Sequence, residues 1–203
     1  MSPELIDPEL IDMARLRENV EGTARRLRAE PRHGVVRPWV STRLERDVRA
    51  VARFEQYGDA YELRCDESAG RAGTGSAPSP MRYLLSGVAF CLQVWCAKAA
   101  ALAGVHVHDL QIDVRTLLDM RGEHRVGDVP AHPQWFVLDV RVQSPAAAAD
   151  VIGIVRDAAR RCPVIALVAQ AVPVHLLVAH NGSTVLDERP AQLRHEHEEI
   201  SSV

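Results

Sequence analysis

The spacing of apolar positions changes several times along the chain, and each change predicts a different element. Over residues 1–30 apolar side chains recur at helical intervals among many charges, which predicts an amphipathic helix. Over 35–67 apolar and polar residues alternate around a turn at 57–59, and this pattern predicts a β-hairpin. Residues 68–80 are rich in glycine, alanine, serine and proline and therefore predict a loop.

A long apolar run follows Pro80 and predicts a helix that continues to about Gly104. Its length approaches that of a membrane span, but Gln93 and Lys98 interrupt it and no second span or flanking aromatic anchors accompany it. We therefore expect a buried central helix and no membrane partner.

The strand and helix patterns then repeat in the second half of the chain. Residues 105–117 and 135–142 alternate as strands, and 144–161 carries apolar side chains on one helical face. Residues 173–179 and 184–186 predict a last strand and its turned partner. Because each strand pair is followed by a helix, the sequence predicts an α+β chain in two similar halves.

Composition and charge narrow the functional classes. With 203 residues and 47% hydrophobic content, one main domain over 35–188 is the simplest organisation, with a helical extension over 1–34 and a polar tail over 189–203. The net charge is −3 and basic residues are dispersed, so we expect no nucleic-acid partner. The acidic start lacks a secretory pattern, which predicts a cytoplasmic protein whose four cysteines form no static disulfides.

The order of several short motifs is more specific than any one of them. An acidic pair and Gly73 precede a Pro-Ser-Pro run that ends at Pro80, and a cysteine follows in the apolar helix at Cys91. A Cys-Pro-Val turn begins downstream at Cys162. Over about residues 45–186 this arrangement resembles the OsmC/Ohr family of organic hydroperoxide reductases.

The resemblance implies an OsmC-like domain over 35–188 that forms an intertwined homodimer, in which sheets wrap long central helices and active sites lie between subunits. It also implies a two-cysteine peroxidase that acts on organic hydroperoxides, with Cys91 as the attacking and Cys162 as the resolving residue. An external dithiol such as dihydrolipoamide would reduce the resulting disulfide. The resemblance implies no bound cofactor and no metal.

A cysteine in an apolar helix needs a nearby cation to become a thiolate. Matching the hairpin to the family's strands places Arg49 at the position of the catalytic arginine, with Arg46 and Arg43 as alternatives. Family members carry a glutamate after the helix-starting proline to orient that arginine, whereas this chain has Met81. Asp66 and Glu67 are the candidates to take its place.

Met81 leaves two functional hypotheses open. The first is the peroxidase, which both cysteines and the arginine favour. The second is an OsmC-like binding or redox-sensing module without efficient peroxidase turnover, because a methionine cannot pair with a guanidinium. Reactivity of Cys91 toward alkylating reagents at mildly acidic pH would distinguish them.

The remaining cysteines and histidines have simpler interpretations. Cys96 is turned about 140° from Cys91 on the helix and is expected to pack in the core, as is Cys65 at the end of a strand. His106 and His108 share one strand face at a spacing that suits zinc, and His175 or His180 could join them. No third ligand is specified, so we expect no metal site.

Overall fold

The computed structural model describes residues 10–170, 177–180, 183–187 and 191. Two short 3-10 helices, Pro31–Gly34 and Ala69–Arg71, accompany the main elements. In chain order these are α1 (Met13–Ala29), β1 (Ser41–Arg46), β2 (Arg49–Gln56), β3 (Asp59–Cys65), α2 (Pro80–Ala103), β4 (Asp109–Thr116), α3 (Met120–Glu123), β5 (Phe136–Gln143), α4 (Ala148–Arg161), α5 (Pro163–Ala169), β6 (Leu177–His180) and β7 (Ser183–Asp187). The predicted α+β class is confirmed.

The first helix begins where the sequence supplies a cap. The Asp12 carboxylate accepts a hydrogen bond of 3.0 Å from the backbone N–H of Arg15, so α1 starts at Met13. The predicted amphipathic helix is confirmed over this span, and residues 1–9 lie outside the described part. One side of α1 packs on α2.

The predicted hairpin is confirmed as β2 and β3, and β1 adds a third antiparallel strand beside β2. The connection between β1 and β2 turns at Asp47, whose φ of 52° is left-handed. An aspartate tolerates this conformation, but Asp-Val carries none of the glycine signals that mark a tight hairpin. The alternating segment therefore contains two turns where the sequence pattern predicts one.

The long helix α2 forms the centre of the core. It runs from Pro80 to Ala103 and ends at Gly104, whose φ of 72° favours glycine, so the predicted span is confirmed. Elements α1, α4 and β4 all pack against it. Its buried side chains, together with those of neighbouring segments, form one cluster: Leu92, Cys96, Ala99, Ala100, Val105, Val107, Ile154 and Ala158.

Among the described residues, α2 is the single helix long and apolar enough to cross a membrane. Core helices of globular proteins pass the same test of length and hydropathy, and α2 packs against α1, α4 and β4, with 33% of its apolar window buried. We therefore describe α2 as a core helix.

In the second half, β4 and β5 pair antiparallel from Asp109↔Gln143 to Thr116↔Phe136, as predicted. The helix after them starts at Ala148, later than predicted, because the Ser144 hydroxyl donates to the carbonyl of His106 and holds the chain at the strand end. Cys162 ends α4, and Pro163 then opens the short helix α5, which the sequence pattern does not predict.

Residues Leu167–Val203 form a separate unit. Within it β6 and β7 pair antiparallel, with Leu177 opposite Asp187, which agrees with the predicted last strand and its partner. The start of that predicted strand, residues 173–176, and nearly all of the predicted tail lie outside the described residues.

Candidate active site around Cys91 and Cys162

Two cysteines from different helices meet beside the core. Cys91 lies near the middle of α2 and is half-buried, whereas Cys162 ends α4 and is fully buried. Both are free thiols, and Cys162 is close enough to Cys91 to raise the pKa of the Cys91 thiol. The structure thus brings together the two cysteines that the family resemblance pairs.

The turn after α4 surrounds the two sulfur atoms with backbone donors. The N–H of Ile165 lies 3.4 Å from the sulfur of Cys162 and donates to it. The backbone N–H of Val164 lies near Cys91 and lowers the pKa of its thiol. This arrangement follows from Pro163, which ends α4 and begins a new helical turn immediately after the cysteine.

Some neighbours of Cys91 raise the pKa of its thiol and others lower it. Burial is the largest influence and raises the pKa of Cys91, and the neighbouring Cys162 raises it further. The Val164 N–H and the charge of Lys98 lower the pKa instead. The net direction is upward, so the described residues favour the protonated thiol.

Cys96 lies in the core, as the sequence predicts. It is 2% exposed, and burial, followed by the nearby Cys162, raises the pKa of its thiol to about 11. Such a thiol remains protonated at neutral pH. Cys65, at the end of β3, is half-buried and lies opposite Ala50 in the sheet.

Arg49 starts β2 and forms an ion pair of 3.7 Å with Glu45. The same carboxylate receives both hydrogen bonds of Arg64 at 3.0 Å, which fixes it between two guanidinium groups. Arg49 also lines a cavity of about 290 Å³ together with Arg46 and residues of the Gly73 loop. Within the described part of one chain, the groups acting on the Cys91 thiol do not include Arg49, Arg46 or Arg43. The role of Arg49 stays a prediction.

Asp66 and Glu67 have other partners than Arg49. The buried Asp66 carboxylate accepts hydrogen bonds from the backbone N–H groups of Glu67, Thr74 and Ser76 and from the hydroxyls of Thr74 and Ser76. These donors hold the pKa of Asp66 far below its ordinary value. Glu67 forms an ion pair of 3.1 Å with Arg71.

Asp66 therefore organises the loop before α2, and within the described chain neither Asp66 nor Glu67 forms an ion pair with Arg49, so that their suggested role stays a prediction. The carboxylate paired with Arg49 is that of Glu45, a contact that the sequence pattern does not predict. Glu45 reaches Arg49 through strand register, because β1 pairs with β2 so that Glu45 lies next to the Arg46↔Arg49 pair. Lys98 is likewise missed, although its seven-residue spacing from Cys91 places both on one helical face.

The histidine hypothesis concerns residues that the structure describes only in part. Among the described residues, no three histidine, cysteine, aspartate or glutamate side chains lie together as a metal would require. His175 is outside the described residues, and the side chain of His180 is not described.

Comparison with known proteins agrees with this architecture. The sequence model of the OsmC-like protein family matches residues 73–176, which include both cysteines of the pair. No curated protein matches the chain.

Several solved structures share the fold. An OsmC-like protein from Mycoplasma pneumoniae is 17% identical, covering 66% of this chain and 88% of its own, with a TM-score of 0.57. A putative osmotic stress induced and detoxification response protein from Psychrobacter arcticus is 17% identical over 65% of this chain and 88% of its own, with a TM-score of 0.51. An OsmC-like protein of unknown function from Vibrio cholerae is 10% identical over 65% of this chain and 93% of its own, and its TM-score is also 0.51.

Proposed function

Because this chain belongs to the OsmC-like protein family, whose model matches half of its residues, we propose that it is a two-cysteine, thiol-dependent peroxidase that reduces organic hydroperoxides. The observation that carries the proposal is the proximity of the Cys91 and Cys162 side chains. Two neighbouring thiols can pass from sulfenic acid to disulfide without a large movement of either helix. The detoxification response named for the Psychrobacter arcticus structure is consistent with this chemistry.

The proposed reaction has three steps. The Cys91 thiolate attacks one oxygen of the hydroperoxide, the O–O bond breaks, and the alkoxide takes a proton to leave as an alcohol while Cys91 becomes a sulfenic acid. The Cys162 thiol then attacks that sulfur, which forms the disulfide and releases water. An external dithiol such as a dihydrolipoyl group reduces the disulfide and is itself oxidised. These steps use no metal and no bound cofactor.

We further propose that the working form is a homodimer. The apolar side chains of Phe90 and Val94 on α2 are 65% and 51% exposed, beside the half-buried Cys91. A second copy covering them would exclude water from the site and create an apolar pocket for the alkyl group of the substrate. It could also present its own Arg49 to the thiol, which would reconcile the predicted role of that arginine with its position here.

The test is to treat the reduced protein with one equivalent of cumene hydroperoxide and to map its thiols by mass spectrometry, beside Cys91→Ser and Cys162→Ser. The proposal requires rapid formation of a Cys91–Cys162 disulfide. In Cys162→Ser, sulfenic acid should accumulate at Cys91, while Cys91→Ser should not react. Dihydrolipoamide should restore both thiols. We expect these reactions in the cytoplasm, where dithiol reductants are available.

The second candidate is a binding or redox-sensing module without efficient turnover. Two observations favour it: Met81 stands where the family carries the orienting glutamate, and burial raises the pKa of Cys91. Slow disulfide formation without catalytic turnover would support the sensing function. Thiols that do not react with hydroperoxide would support the binding function alone.

A further inference from the structure

The single lysine of the chain lies close to the proposed reactive cysteine. Of its 24 lysine and arginine residues only Lys98 is a lysine, and it interrupts the otherwise apolar α2. Seven residues separate it from Cys91, which returns a helix to within about 20° of the same direction. The two side chains therefore share one face of α2, two turns apart.

The side chain of Lys98 points back along the helix toward Cys91. Helical side chains lean toward the N-terminus of their helix, so a long lysine reaches over the preceding turn. The ammonium nitrogen indeed lies 4.9 Å from the centre of the Trp95 ring, three residues earlier. Trp95 thus holds the cation in the turn between Lys98 and Cys91 through a cation–π interaction.

This support differs from an ion pair. A carboxylate partner would cancel much of the field of a cation, as Glu45 does for Arg49, whereas an aromatic face leaves the full charge in place. Among the described residues, Lys98 forms no ion pair with a carboxylate. The amine is also half-buried, which reduces screening of its charge by water.

We propose that Lys98 is a positioning residue that stabilises the Cys91 thiolate from within the same subunit, with Trp95 fixing its ammonium group. Its significance for catalysis rests on the proposed peroxidase function, but the electrostatic coupling does not. Lys98 opposes the burial that raises the pKa of Cys91, and Val164 helps it through its backbone N–H.

Charged groups on the other elements packed against α2 are engaged elsewhere. On α1, Arg17 bonds to the carbonyl of Ala101, far along the helix from Cys91. On α4, Arg161 faces the Trp95 ring at 5.9 Å and forms an ion pair of 2.7 Å with Asp157. The charged residues of β4 are exposed on the face away from the core: Asp109, Asp113 and Arg115. Among the described residues, the titratable neighbour of Cys91 besides Lys98 is Cys162.

The first experiment measures the pH dependence of Cys91 alkylation by iodoacetamide, quantified at that residue by mass spectrometry. Lys98→Met should raise the pKa of Cys91 by about 0.5 or more, which slows alkylation about threefold below the pKa. Lys98→Arg keeps the charge and should keep most of the rate. Arg82→Met, which removes an exposed cation from the same helix, is the matched control and should change nothing. An unchanged profile in Lys98→Met would overturn the proposal.

The second experiment needs no substitution of Lys98. Reductive methylation with ¹³C-formaldehyde labels only this lysine and the α-amino group, so its resonance can be followed by NMR. Because coupling between two titrating groups is reciprocal, the Lys98 signal should show a step at the pKa of Cys91, and Cys91→Ser should abolish that step. A lysine signal indifferent to Cys91 would overturn the proposal.

Neither experiment contains a peroxide, so the two proposals can fail separately. Coupling without reaction toward cumene hydroperoxide would leave the lysine effect and remove the peroxidase. A rapid Cys91–Cys162 disulfide without coupling would leave the peroxidase and remove Lys98 from it.

Discussion

The guanidinium group of Arg17 donates two hydrogen bonds to the carbonyl oxygen of Ala101, from Nε at 2.9 Å and from Nη2 at 2.7 Å. Ala101 belongs to the last turn of α2, where carbonyl groups lack partners within the helix and the helix dipole is negative. A side chain from α1 thus caps the central helix. Since α1 lies outside the residues that the family model matches, this contact fastens an additional element to the shared core.

We therefore predict that Arg17→Met lowers the free energy of unfolding by about 1 kcal/mol, because it leaves the Ala101 carbonyl without these donors. Equilibrium urea unfolding would measure the change. The control variant Arg28→Met removes an exposed cation from the same helix. It should lower the free energy of unfolding by less than about 0.5 kcal/mol. Equal losses in the two variants would show that the bonds to Ala101 contribute nothing specific.

Gly73 is required by a close approach between two parts of the loop before α2. A Cβ atom there would lie 1.9 Å from the carbonyl oxygen of Glu67 and 2.7 Å from Oδ1 of Asp66. These atoms are backbone and a hydrogen-bonded carboxylate, so they cannot move aside without opening the loop. We expect Gly73→Ala to lower the free energy of unfolding by about 2 kcal/mol or more in a urea titration.

The matched control is Gly153→Ala in α4, where an added Cβ meets nothing within 4 Å. Alanine is a better helix former than glycine, so the free energy of unfolding of this variant should increase by about 0.5–1 kcal/mol. If both glycine variants changed stability in the same direction, the close approach at Gly73 would not be the cause.

Asp66 should make the free energy of unfolding depend on pH in the acidic range. Its folded-state pKa lies below the ordinary value of 3.8, so its ionised form stabilises the fold above about pH 4, and this contribution is lost as the pH falls further. Asp66→Asn should therefore be less stable than the native chain at pH 7, and the difference should shrink as the pH falls below 4. Urea midpoints at several pH values would measure it.

Asp128→Asn, at an exposed position, serves as the control and should follow the native chain at every pH. A constant difference between Asp66→Asn and the native chain, independent of pH, would mean that the hydrogen-bond geometry rather than the charge of Asp66 is decisive.

These cases show what the sequence pattern can and cannot predict. The span of α2 follows from its apolar run and from Pro80 and Gly104, which mark its ends, because helix limits are local properties. The strand β1 is missed because a left-handed aspartate replaces the usual glycine signal at its turn. An unusual backbone conformation at a turn can therefore hide a strand that the alternation of apolar and polar residues would otherwise predict.

The candidate site depends on contacts that are distant in sequence. The proximity of Cys91 and Cys162 can be predicted from the sequence only through the family resemblance, because neither motif specifies that α4 packs on α2. The partner of Arg49 depends on an irregular register between β1 and β2, where Leu44 and Arg46 are separated by a bulge. Such side-chain pairings depend on how the strands align in the folded sheet, and the pattern of apolar and polar residues in the sequence does not predict them.

The last prediction concerns which thiols react. At pH 8 a thiol with a pKa of about 11 is ionised to roughly one part in a thousand, and Cys96 is also shielded from reagents by the core. In the native protein we expect iodoacetamide to modify Cys91 at least about tenfold faster than Cys96. In 8 M urea, the two rates should become similar, since burial no longer distinguishes them. Cys96→Ala should still form the Cys91–Cys162 disulfide with hydroperoxide. Loss of that disulfide in Cys96→Ala, with the native fold retained, would mean that Cys96 takes part in the redox chemistry rather than only in packing.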